Sequence, residues 1–412
     1  MEALDVYLNE IKAGQLRDDN GRMNFAYSTD YLLSTSHEPL SHSLPLRKEP
    51  YGHEEVEPVL SNLLPDDIIR TRIGALLKIP RENTFALLKA IGGDCAGAIS
   101  FFPEGTFVES TPSTGTFRVL SDDEAGRILD CLEQRPLDVG EDGFRISGAG
   151  AQDKLIACMR DEKVALPLDG TPSTHIIKTE IRGYPASVEN EWFAMSLASA
   201  SGLNAAACEI KLIGGKRRYI CRRYDRIQDG NGIRRLHQED FCQMLKIDPK
   251  RKYENLGGPG IAESFRLMRE LALPASDTLE FLDRVIFNYI IGNGDAHGKN
   301  FSVLHRGGVP ELAPMYDVMS TTVYPDVGRK MAMKIDGEYA FKWITTGKFI
   351  RMSGKLGICE RIMRRELDKM ARRVSRSLPL TMKRAQSSWP SPCYERIAAG
   401  IGERLSVLRE GD

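Results

Sequence analysis

The order of elements legible in the sequence predicts an α+β fold. Strand-like segments crowd the middle of the chain, between 144 and 224, and the pattern from 277 onward is mostly helical. No strand–helix–strand unit follows the glycine-rich stretch near 150, which argues against a doubly wound sheet.

The elements follow in order. In 62–67, Asn-Leu-Leu-Pro-Asp-Asp reads as a break followed by a helix start, with Ile68, Ile69, Ile73 and Leu76 as its apolar face. The polar Pro/Gly stretch 134–143 is the expected boundary of a first segment, 1–140. Strands are expected over 144–147, 154–159 and 174–178, then a helix over 187–200 stopped by Gly202. Two strands, 208–213 and 217–224, flank Gly214-Gly215, and 229–232 reads as a turn. Asp277 with Glu280 resembles a capping box opening a helix that runs to Gly292. A hairpin of 301–304 and 311–315 comes next. Leu356 to Val374 follow as one long amphipathic helix, and Tyr394 to Leu408 as another. The expected division is 1–140, a strand-rich segment 141–260 and a helical segment 261–412.

Composition narrows the class. The 412 residues carry 56 Lys plus Arg against 57 Asp plus Glu, a net charge of −1, so no global pull toward nucleic acid or anionic membrane follows. With 42% hydrophobic residues the chain has ample material for a core. The first residues lack the basic start and apolar stretch of a signal peptide, and the apolar run 285–291 is too short to span a bilayer. The eight cysteines form no CxxC pair and no His/Cys cluster, so zinc and a redox dithiol are not expected, and a reducing cytoplasm is. The stretch 361–412 is net +6, read as a solvated basic helical face with DNA contact as the other reading.

Chemistry concentrates in three places. Residues 292–300, GNGDAHGKN, place Asp295 and Asn300 five apart on a glycine-rich loop, with Asp317 following a hairpin. Phosphoryl transfer by protein kinases needs such a set: an Asp near the acceptor hydroxyl, and an Asn and a second Asp on Mg²⁺. A purely structural polar turn accounts equally well for Asp295 and Asn300 taken alone. The second place is the small-residue turn from Ser147 to Lys154, whose backbone can approach phosphates; it is neither a Walker A motif nor a Rossmann fingerprint. The third is Lys178, ending an apolar strand, with Glu191 thirteen residues on as its possible partner. Glycine-rich turn, strand lysine, helix, hairpin, Asp-x₄-Asn and then Asp is the order of a bilobal kinase.

The chain resembles the HipA family of bacterial serine/threonine-kinase toxins. The matching strings include PLSHSLPL (39–46), SNLLPDD (61–67), DGFRISGAGAQDK (142–154), THIIK (174–178), RRYDR (222–226), HQEDFCQ (237–243), YENLGGPG (253–260), GNGDAHGKN (292–300) and MYDV (315–318). The resemblance implies a bilobal protein-kinase-like fold with an N-terminal α+β subdomain and a mostly helical C-terminal lobe. It implies ATP and Mg²⁺, with Asp295 as the catalytic Asp and Asn300 and Asp317 on the metal. Lys178 would contact the ATP phosphates and Ala149, Gly150, Ala151, Gln152, Asp153 and Lys154 would cover them. Arg222, Arg223 and Tyr224 would line the adenine hinge, and His297, Gly298, Lys299, Asn300 and Tyr316 would complete the nucleotide site. Ser147 matches an autophosphorylated serine whose modification switches the kinase off. The implied partners are a HipB-like helix-turn-helix antitoxin, operator DNA through that complex, and an aminoacyl-tRNA synthetase substrate such as the glutamyl enzyme, but no membrane. Two other readings stand beside it: a small-molecule phosphotransferase, and a catalytically silent kinase-like binding module.

Overall fold

The computed structural model describes residues 2–106, 115–139, 145–150, 152–168, 170–229 and 232–409. Phe144, Ala151 and the centre of the 229–232 turn therefore lie outside the described residues. The chain forms two compact units: 1–179 with 211–250 and 303–309, and 180–210 with 251–302 and 310–412. These units cut across the three expected segments. The first holds most of 1–260, and the helix-bearing stretch 180–210 belongs to the second.

The first unit carries two large antiparallel sheets. Glu2–Leu8 lies between Ile11–Asp19 and Ile99–Pro103, and Arg22–Tyr27 closes the other edge. Leu4, Val6 and Leu8 alternate into the core, the period expected of a half-buried strand. In the second sheet Thr116–Val119, Lys163–Leu168, Lys154–Arg160, His175–Lys178 and Lys216–Arg222 are neighbours in that order. One apolar cluster runs from Leu4 to Ile220 and serves both sheets. The sequence places a strand over 144–147, but among its described residues only Ile146 pairs, in an isolated bridge to Asp94. In the helix Asp67–Leu77, Ile69 and Ile73 are buried as expected, whereas Ile68 and Leu76 are exposed. The buried face is narrower than the four apolar residues implied.

A buried ion cluster ties this unit together. Asp94 accepts from Ser173 N and Oγ (3.1 and 2.6 Å), from Arg226 Nη2 (2.9 Å) and from Arg235 Nε (3.0 Å). Asp225 accepts two bonds from Arg223 (3.0 and 2.7 Å), one from Arg226 (2.8 Å) and one from Gly97 N (2.8 Å). Burial opposes ionisation of both carboxyls, yet the surrounding guanidiniums hold both below the usual carboxylate range.

The second unit is built on helices. Ser187–Ala200 forms as expected. Ala275–Ile291 is buried from Phe281 to its end and stops at Gly292, whose φ of +78° is left-handed. The expected capping box does not form. The helix begins after Pro274, and both carboxylates are used elsewhere: Asp277 accepts from Leu312 N (2.7 Å) and Glu280 from Asn204 N (3.0 Å). The expected single helix from Leu356 is two, Thr346–Leu356 and Glu360–Ser388, broken at Gly357 with φ +68°. Cys393–Arg409 follows. Among the described residues no helix is long and apolar enough to cross a membrane.

Removing one partner of a buried cluster leaves uncompensated charge. Asp94→Ala is therefore expected to cost about 3–5 kcal/mol in urea unfolding at pH 7. Because the folded-state pKa of Asp94 is depressed, its contribution is present above the unfolded value near 3.9 and is lost as pH falls through the folded one. The gap between variant and natural chain should thus be full at pH 5–7 and narrow only in stronger acid.

Candidate active site

The catalytic-loop candidate lies wholly in the second unit and is held by its own short side chains. Asn293 is buried; its amide nitrogen donates to Asn288 Oδ1 (3.0 Å) and its oxygen accepts from Asp295 N (3.0 Å). Thr321 Oγ1 accepts from Gly294 N (2.8 Å) and donates to Gly292 O (3.2 Å). A Cβ on Gly292 would come within 2.3 Å of Thr322 Oγ1, so the turn excludes larger residues. Asp295 O then accepts from His297 N and from Asn300 Nδ2, both at 2.8 Å. That bond fixes the Asn300 amide and leaves its Oδ1 as the atom for a cation.

Asp295 presents a half-exposed carboxylate, with His297 Nε2 3.8 Å from Oδ1. Tyr253 donates its phenolic proton to the same oxygen. The Tyr253 ring also meets the His297 ring edge-on (4.9 Å), and Lys252 O accepts from Gly298 N (3.2 Å). Residues 252–253 thus brace the loop from outside it. Tyr316 donates to Lys299 O (2.6 Å), and Asp317 adopts a left-handed φ of +58°. Such a conformation in a non-glycine residue costs of order 1 kcal/mol and recurs at functional sites. A cavity of about 520 Å³ adjoins Asp295, with Tyr184, Tyr253, Thr321, Tyr324 and Lys330 among its lining.

The phosphate-binding candidates lie in the first unit. Lys154 and Lys178 are directly paired residues on adjacent strands, and both are buried. Paired positions share a sheet face. Lys154 Nζ donates to Ala149 O, and Gly150 (φ +106°) leaves room where a Cβ would sit 2.8 Å from that nitrogen. Gln152 donates to Thr179 O (3.0 Å) and Asp153 pairs with Arg72 (2.7 Å). Ser147 is 1% exposed; its hydroxyl donates to Leu63 O (2.7 Å) and its N–H to Asp94 O (3.1 Å).

Of the expected hinge residues, Arg222 is exposed and Tyr224 half-buried. The Arg223 guanidinium is committed to Asp225 and Ser173 and its N–H to Thr174 O (2.9 Å), so only its carbonyl remains for a hinge. Sequence reasoning missed Asn293, Thr321 and Tyr253 as supports of Asp295. Asn293 lay in the loop that drew attention, but its role needs the bond to Asn288; Tyr253 and Thr321 are 42 and 26 residues from Asp295 and carry no spacing signal.

Fold and catalytic loop together define the protein-kinase-like class. Family models match in two places: the HipA N-terminal domain over residues 4–102 and the HipA-like C-terminal domain over 146–378. A Sinorhizobium fredii protein named as a kinase, Y4mE, is 43% identical over 341 residues, covering 81% of each chain. The Shewanella oneidensis serine/threonine-protein kinase toxin HipA is 31% identical over 390 residues, 91% of this chain and 88% of that one. A solved Shewanella oneidensis complex of HipA, HipB and operator DNA superposes with a TM-score of 0.83 at 28% identity, covering 98% of this chain and 95% of its counterpart. The chain belongs to the HipA family of serine/threonine-kinase toxins.

A hydrogen bond to a charged group is worth about 1.5–3 kcal/mol. If the Tyr253 phenol orients Asp295, Tyr253→Phe should lower kcat for phosphoryl transfer roughly tenfold or more while the KM for ATP stays within about twofold. Steady-state kinetics on Tyr253→Phe beside the unmutated chain checks this; an unchanged kcat would mean the bond is incidental.

Proposed function

We propose that this protein is an ATP-dependent serine/threonine-protein kinase acting as the toxin of a toxin–antitoxin pair. The observation that carries the reading is the braced loop holding Asp295 and Asn300, followed by Asp317 in a left-handed conformation. In this reading an acceptor hydroxyl enters the cavity beside Asp295. The carboxylate takes its proton as the hydroxyl oxygen bonds to the γ-phosphorus; the bond from that phosphorus to the β,γ-bridging oxygen breaks and ADP leaves. Asn300 and Asp317 would hold Mg²⁺, which when bound neutralises phosphate charge. Lys178 and Lys154 take the phosphates, with 149–154 as the covering loop. Arg222, Arg223 and Tyr224 stand at the adenine, and His297, Gly298, Lys299 and Tyr316 complete the nucleotide contacts.

Burial of Ser147 supports an off-switch there. A phosphate would add −1.5 to −2 charges where the hydroxyl now meets the carbonyl of Leu63, beside a loop that must itself hold phosphates. The loop has to leave its seat to accept the group and cannot resume it afterwards. The Shewanella oneidensis relative assembles with HipB and operator DNA; by family membership this chain takes a helix-turn-helix antitoxin and reaches DNA mainly through it. A translation protein of the aminoacyl-tRNA synthetase class, met in the cytoplasm, is the assigned substrate.

The test is labelled ATP and Mg²⁺ with the purified, dephosphorylated chain, with and without a cytoplasmic extract, beside Asp295→Ala. Label on the chain and on one extract band, absent from Asp295→Ala, is expected, and Ser147→Ala should lose most self-label. Wild-type self-labelling by Ser147→Ala would remove the switch. No label on chain or extract would favour a silent binding module.

A further inference from the structure

A second cluster of ligand-type side chains lies in the first unit, on the strands His237–Asp240 and Ser302–Arg306, and none of the chemistry above uses it. His237 and Glu239 are two apart on one strand and so share a face. His305 comes from the neighbouring strand. The imidazoles stack, with centroids 5.2 Å apart and 23° between planes. Glu239 Oε1 is 3.3 Å from His305 Nε2 and 4.0 Å from His237 Nε2, and one ligand atom from each residue lies within 4.8 Å of the others. Leu40 O is 3.1 Å from His237 Nε2 and adds an oxygen donor.

The charge on Glu239 demands explanation. Its side chain is 1% exposed, and its ion-pair contacts among the described residues are the two imidazoles alone, with no lysine or arginine. Ser41 Oγ and His42 N donate to it, but these are neutral groups. A buried carboxylate normally has a cationic partner or a metal. His237 Nε2 donates to Leu40 O, so it ligates once that proton moves to Nδ1, which has no hydrogen-bond partner among the described residues. His305 Nε2 faces the carboxylate without hydrogen-bond geometry, and its side chain, 16% exposed, reaches toward solvent as an entry path.

We infer that His237, Glu239 and His305 form a binding site for a divalent transition-metal ion of the zinc class. Two imidazoles and one carboxylate are a donor set for zinc and its neighbours, not for Mg²⁺, which takes oxygen ligands. Ligand atoms at zinc distances stand roughly 3.3–3.6 Å apart in a tetrahedron; the Glu239–His305 spacing already matches, and His237 has to close the remainder by turning its ring. The metal would clamp the 40–43 loop, through Leu40 and Glu239, to the strand pair.

The experiment uses the full chain after chelator treatment, titrated with Zn²⁺ alone and with Co²⁺ alone. One equivalent of Zn²⁺ retained through gel filtration and a raised Tm are expected. His305→Ala should weaken retention at least about tenfold, while Asp317→Ala, altered at the Mg²⁺ candidate, should retain the equivalent. Should His305→Ala fail to fold, the Co²⁺ complex of the unmutated chain decides. Visible d–d bands without a thiolate charge-transfer band support the site; a thiolate band would put the metal on one of the eight free cysteines and overturn it. Absence of retained zinc, or equal retention by folded His305→Ala, would also overturn it.

Discussion

Two buried aspartates facing three arginines hold the first unit in one piece. Asp94 comes from the N-terminal part of the chain; Arg223, Asp225, Arg226 and Arg235 come from the end of the strand-rich part. The cluster is nearly dry, so its ion pairs act in a medium of low dielectric, and a missing member would leave charge without a partner. Asp94 also works through its main chain. Its carbonyl accepts from Ser147 N, which places the start of the glycine-rich loop against the same anchor. The candidate phosphate loop is thus seated by the interaction that joins the N-terminal sheet to the rest of its unit.

The second unit solves a different problem. A helix buried over its last three turns must end abruptly and hand the chain to a loop that keeps an acid half-exposed. Gly292 supplies the left-handed stop, and Arg404 Nε donates to Ile290 O (2.8 Å), satisfying one of the helix's terminal carbonyls. Asn293 and Thr321 then occupy the loop's backbone groups, so Asp295 keeps its carboxylate for Tyr253 and for solvent. Rigid backbone with an available acid is what positioning a reacting hydroxyl requires.

The candidate site residues were legible from local pattern. Asp295, Asn300 and Asp317 stand in order on a glycine-rich loop and after a hairpin, and Lys178 ends a short apolar strand; local spacing records both. The helix 187–200 was equally legible, because its apolar residues and Gly202 are local signals. Other elements were misread for an identifiable reason. Asp277 and Glu280 have capping-box spacing, but Leu312 N and Asn204 N claim their carboxylates; Ile68 and Leu76 fit a helical stripe, but no neighbour covers them.

The sequence by itself determined the α+β class, the family and the candidate site residues, because periodicity and motif spacing are properties of neighbours along the chain. Tertiary structure decided the rest. It committed the Arg223 guanidinium to an ion cluster, set Lys154 opposite Lys178, brought Tyr253 onto Asp295, and gathered His237, Glu239 and His305 on one sheet face. Each of these depends on strand register or on a turn joining residues distant in the chain, and no local pattern encodes which distant partner a side chain meets.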